Sequence, residues 1–139
     1  MTEVALLLAV VEAEHAAVYG YGVLGARLDI ATRRIAVTAY DAHRGRRDAV
    51  IAALAARGTS APSPLAAYDV SVSGRPAALA LAVRLEEGLA VRWRDLVGGT
   101  DARGLRQLAV SGLQETAVRA AQWRRLAGVT PVTVPLPGT

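Results

Sequence analysis

Apolar residues recur at alternating spacings of three and four through four long stretches of the chain, and glycine or proline punctuates the ends of these stretches. This is the period of amphipathic helices. In the first stretch, about residues 3 to 28, Val4, Leu8, Val11, His15, Val18 and Gly22 share one stripe. The second, about residues 32 to 57, opens at Thr32 as the expected N-cap and stops at Gly58. Its inward stripe reads Ala36, Ala39, His43, Arg46, Val50 and Ala53. The third, about residues 75 to 97, has Pro76 in its first turn and ends at Gly98 and Gly99. Leu79, Val83, Glu86, Ala90, Trp93 and Val97 face inward there. The fourth, about residues 101 to 127, starts after Thr100 or Asp101 and turns Leu105, Leu108, Gly112, Glu115, Arg119 and Leu126 inward. Gly128 ends it, and the Pro-rich tail, residues 128 to 139, cannot continue it.

The connections between these stretches predict the topology. A handful of residues joins the first pair and another handful joins the second, so each pair forms an antiparallel hairpin. About seventeen residues, Gly58 to Gly74, separate the pairs and include Pro62 and Pro64. A helix of about 25 residues is roughly 37 Å long, and the linker extended reaches about 55 Å, enough to travel the length of a bundle. The expectation is a single all-α domain over residues 1 to 139, a four-helix bundle with one long crossover between helices 2 and 3.

Composition supports the helices and removes several chemistries. Hydrophobic residues make up 53% of the chain, rich in Ala and Leu, and Phe, Asn and Lys are absent. The lack of Cys excludes disulfides, thiolate metal sites and thiol catalysis. The apolar run from Val4 to Val11 is interrupted by Glu12 and Glu14, lacks a basic leader and is too short to cross a bilayer. It reads as the start of a core helix in a cytoplasmic protein with no membrane partner.

The net charge of +4 is carried by Arg, concentrated in the second stretch at Arg33, Arg34, Arg44, Arg46, Arg47 and Arg57. No helix-turn-helix, zinc finger or aromatic platform accompanies this run, so a solvated helix face is expected rather than a nucleic-acid partner. Gly20-x-Gly22-x-x-Gly25 has the letters of a dinucleotide fingerprint but lies inside a helical pattern with no preceding strand. Gly20, Gly22 and Gly112 weaken a helix unless another backbone or side chain approaches closely, which makes the first helix the expected homodimer surface. Trp93 and Trp123 read as core or interface anchors.

Each helix also places an ionisable residue near its middle. Glu14, His43, Glu86 and Glu115 all lie roughly 13 to 16 residues from the nearer hairpin turn, which puts them in one central layer. Buried carboxylates of this kind bind metal, pair with cations or hold protons. His15, beside Glu14, either faces solvent or pairs with a neighbour.

Three segments, Ala13-Glu14-His15-Ala16-Ala17-Val18-Tyr19-Gly20-Tyr21-Gly22, Ala39-Tyr40-Asp41-Ala42-His43-Arg44 and Arg84-Leu85-Glu86-Glu87-Gly88, resemble the ferritin-like superfamily. Within it they are most similar to an uncharacterised ferritin-like domain family of high-GC bacteria. The resemblance spans nearly all of residues 3 to 127 and implies a four-helix bundle that often self-associates and has no established activity. Metal-bearing members of the superfamily carry Glu on helices 1 and 3 and Glu-x-x-His on helices 2 and 4. Glu14, Glu86 and His43 match that pattern, whereas Tyr40 stands in place of a Glu, and Glu115 is followed by Val118 in place of a His. The implied metal ligands are Glu14, His43, Glu86 and Glu115, with Tyr40 and Glu87 as substitutes. Arg46 and Arg119, both expected inward, supply positive charge where metal would otherwise sit. The reading is a degenerate, cofactor-free core in a structural or binding protein, and the alternative is an iron or manganese carboxylate protein.

Overall fold

The computed structural model describes residues 1–139 and contains four long α-helices and no strand. Helix α1 spans Glu3–Leu24 and passes through a short 3₁₀ turn, Gly25–Arg27, into α2, Ile30–Ala55. Helices α3, Arg75–Gly99, and α4, Arg103–Ala127, form the second pair. Thr2 caps α1 by accepting the Ala5 N–H at 3.1 Å. The cap of α2 is Asp29 rather than the expected Thr32. Its carboxylate accepts the Thr32 N–H at 3.3 Å and the Thr32 hydroxyl at 2.7 Å, so Thr32 sits one turn inside the helix it was expected to start. Ala102, not Thr100 or Asp101, precedes α4, and the Thr100 hydroxyl accepts its N–H at 3.1 Å.

Close contacts fix the direction of each helix. Glu3 meets Arg57 and Glu14 meets His43, so α1 and α2 are antiparallel. Leu6 lies against Gly99 and Leu85 against Gly20, so α1 and α3 are antiparallel too. Trp93 meets Gly112, and Glu87 meets Arg124, which makes α3 and α4 antiparallel. Helices α2 and α3 must therefore run parallel, and the chain between Ala56 and Gly74 travels the length of the bundle as its loop length predicts. The crossover stays on the protein surface and packs against α1. There His15 Nε2 hydrogen-bonds the Pro62 carbonyl at 2.9 Å, the Tyr19 and Tyr68 rings lie 5.2 Å apart, and Val72 is buried.

Helix α1 packs on both α2 and α3 as well as on the crossover, so it is buried on several sides. Over Glu3–Arg27 it is long and apolar enough to resemble a membrane span, and half of that window is buried inside the bundle. Its buried positions include Leu7, Val10, Val11, Glu14, Ala17, Tyr21 and Leu24. Of the expected stripe, Val11 and His15 are buried, Val4, Leu8 and Val18 are half-buried and Gly22 is exposed, so the buried face is rotated from the expected one. A helix apolar on almost every side carries little phase information in its sequence. By contrast, Leu79, Val83, Glu86, Ala90 and Trp93 on α3 are buried as expected.

The core divides into two apolar clusters. Leu7, Val10, Val50, Leu54, Trp93 and Leu96 belong to one, and Leu24, Ala36, Leu79, Ala82 and Trp123 to the other. Each large side chain buried here contributes about 1.5–3 kcal/mol. Both tryptophans are fully buried, so they anchor the core. Two glycines make the close packing possible. A Cβ on Gly112 would meet the Trp93 ring at 2.6 Å, and one on Gly20 would meet Leu85 Cδ1 at 2.7 Å. A Cβ on Gly22 would meet nothing within 4 Å, so close packing within the chain does not offset that glycine.

Candidate functional site

Between the two apolar clusters lies a layer of buried polar side chains. Glu14, His43 and Glu86 have no exposed side-chain surface and come from three different helices. His43 Nδ1 is 2.7 Å from Glu14 Oε2, and its Nε2 is 2.8 Å from Glu86 Oε1. Because each nitrogen faces a carboxylate, the ring is held as an imidazolium that donates on both sides. Desolvation by burial works against this charge, but the two carboxylates outweigh it and raise the His43 pKa from 6.5 to about 9. Burial raises the Glu14 pKa, with the His43 hydrogen bond opposing it.

Glu86 Oε1 gathers further donors. The Tyr21 hydroxyl donates to it at 2.5 Å, Trp123 Nε1 donates to the Tyr21 oxygen at 2.8 Å, and Arg119 Nε lies 3.3 Å from the same carboxylate oxygen. The Tyr21 ring stacks on His43 with centroids 5.4 Å apart. Burial and the neighbouring Glu86 charge raise the Tyr21 pKa well above 10, so the phenol remains a donor. Two carboxylates, one imidazolium and one guanidinium balance to zero charge, the condition under which burial of ions is least costly. Glu14 Oε1 and Glu86 Oε2 are buried without a hydrogen-bond partner.

The remaining residues singled out in the sequence lie elsewhere. Glu115 does not enter the central layer: its side chain is 46% exposed and receives Arg46 at 2.6 Å on the surface between α2 and α4. Thr116, one position further, takes the buried place, because the inward face of α4 runs through Gly112, Thr116, Ala120 and Trp123. Val118 is 70% exposed on the opposite side. Arg46 likewise misses Glu14 and Glu86 and holds Glu115 and the Ser111 hydroxyl instead. Arg119 reaches both clusters, with Glu86 on one side and Glu115 at 3.7 Å on the other. Tyr40 is half-buried among apolar residues, with the Arg44 guanidinium 5.6 Å from its ring centre. Glu87 pairs with Arg124 away from the layer. His15 is buried and tied to the crossover, with its Nδ1 unpartnered.

Tyr21 and Trp123 belong to the network, and reading the sequence missed that role. The signal was present in the spacing. Tyr21 lies two helical turns beyond Glu14, a separation that returns to the same helix face.

Fold and site together define an all-α four-helix bundle whose apolar core is divided by a buried, charge-balanced Glu-His-Glu-Arg layer. The chain belongs to a family described as a domain of unknown function, DUF4439, whose model matches residues 6–139. It is similar to the crystal structure of a conserved hypothetical protein, Rv2844, from Mycobacterium tuberculosis. That match has a TM-score of 0.86 and 37% identity, and covers 89% of this chain and 96% of the other. No curated protein matches the chain.

Proposed function

We propose that this protein is a non-catalytic, ferritin-like bundle in which an internal ion-pair layer stands where related folds hold metal, and that it acts as a structural or binding protein. The observation that carries this reading is His43, whose two ring nitrogens are both engaged by carboxylates. A metal ligand needs a free imidazole lone pair, and each ring nitrogen here is turned to a carboxylate instead. The donor set fits a two-metal centre poorly. Glu115 lies outside the layer, Val118 and Tyr40 replace ligands, and no group of three or more His, Asp or Glu side chains is arranged to hold an ion. Arg119 supplies the positive charge that a cation would bring.

The unpartnered oxygens Glu14 Oε1 and Glu86 Oε2 favour the second reading, a carboxylate protein holding iron or manganese after rearrangement of His43. Metal analysis of untagged protein, expressed with and without iron or manganese and then dialysed, separates the two. The first reading predicts far less than one metal per chain, and two metals per chain would sink it. The proposal includes a cytoplasmic homodimer formed through the open face of α1 around Gly22. That surface is supported by the absence of any atom near the Gly22 Cβ position. Light scattering across a concentration series that showed only monomer would remove the dimer from the proposal.

A further inference from the structure

Beyond the charge layer, the tail after α4 builds a second feature. Residues 129–139 fold back over the seam between α3 and α4 instead of trailing into solvent, and border an open groove of about 510 Å³. That volume lies within the range typical of small-molecule sites. Ala90, Ala117, Ala120 and Ala121 form the floor, and their small side chains leave the depth of the groove unfilled. Val132, Val134 and Pro137 of the tail form the opposite wall. The tail is seated tightly at its end, since a Cβ on Gly138 would meet the Ala90 carbonyl oxygen at 2.6 Å and Arg94 Cβ at 3.0 Å. The family match runs through residue 139, so this strap is part of the domain.

The charges around the groove select the ligand. Glu87 lines it, but its carboxylate is neutralised by Arg124. Arg125 lines it as well and has no carboxylate within salt-bridge distance, which leaves one uncompensated cation beside an apolar floor. Val118 and Val134, 70% and 39% exposed, also line the groove and add exposed apolar surface to it. We propose that the groove binds a small amphiphilic organic anion, a carboxylate on a linear apolar chain. Arg125 pairs with the carboxylate, the alanine floor takes the chain, and the tail closes over both. This site is separate from the buried layer, and the assignment stands whether or not that layer takes metal.

Isothermal titration of the full chain with decanoate and with decanol tests the proposal. Decanoate is expected to bind one per chain. Arg125→Gln is expected to weaken decanoate about tenfold and leave decanol unchanged, as loss of one charge-assisted hydrogen bond would. Ala121→Trp, which fills the groove, should remove binding of both ligands, and Gly138→Val, which unseats the strap, should weaken both. Circular dichroism melts establish that each variant is folded. The proposal is overturned by a lack of saturable decanoate binding. It also fails if a folded Ala121→Trp variant binds normally, or if Arg125→Gln weakens the acid and the alcohol equally.

Discussion

Two charge clusters sit side by side in the middle of this bundle and are built from similar residues in opposite surroundings. Glu14, His43 and Glu86 are sealed from water, whereas Arg46 and Glu115 meet at the rim, where Glu115 is 46% exposed. In the sealed cluster every ion depends on its partner, because a buried charge that loses its counter-ion has no water to replace it. At the rim, water and salt replace a lost partner at little cost. Arg119 touches both clusters and marks the boundary between them. Similar pairs of groups therefore differ in consequence through burial alone.

The largest expected effect comes from His43→Ala, which leaves two carboxylates buried without their cation. Denaturant unfolding should show a loss of about 3–5 kcal/mol, and a loss below about 1 kcal/mol would erase the distinction between the clusters. Tyr21→Phe removes one donor to Glu86 and strips the acceptor from Trp123 Nε1. A loss of about 1–3 kcal/mol is expected on the same measurement.

The sealed cluster should also respond to pH with a definite sign. His43 has a folded pKa of about 9, above its ordinary value of 6.5, so its contribution is complete below pH 6.5 and fades as pH rises through 9. Between those values the folded state binds more protons than the unfolded state, and stability falls with rising pH. Unfolding midpoints measured from pH 6 to 10 should decline for the native protein and flatten in His43→Ala. A midpoint that rises over this window would mean that His43 is neutral in the fold. The smallest effect belongs to the rim. Arg46→Ala should cost less than about 1 kcal/mol, and the native protein should lose the same increment in high salt.

Much of the fold was legible in the sequence, and the clearest parts have a common cause. Helix α3 buries a broad face that includes Ala78, Ala82, Leu89 and Leu96, so the expected stripe through Leu79, Val83, Glu86 and Trp93 falls within it even if its centre is slightly misjudged. The long segment after Gly58 required a crossover because short loops on either side left no other way to join the pairs. Helix α1 was less legible because it is apolar on nearly every side, and its burial between α2, α3 and the crossover explains that composition. On α4, Gly112 and Trp123 set the inner face, and a rotation of one residue put Thr116 inside and Glu115 at the rim.

Four helices, their hairpin pairing, the crossover and the presence of Glu14, His43 and Glu86 at one height follow from the order of residues along the chain. Local periodicity and loop length specify these features, and both are properties of the chain alone. Packing between the helices sets which charges share the interior: His43 bridges two glutamates, Tyr21 and Trp123 complete the network, and Arg46 stays at the rim. Those pairings depend on helix rotation set by packing, as where Gly112 admits Trp93, and a turn of one residue exchanges a buried ion for a solvated one.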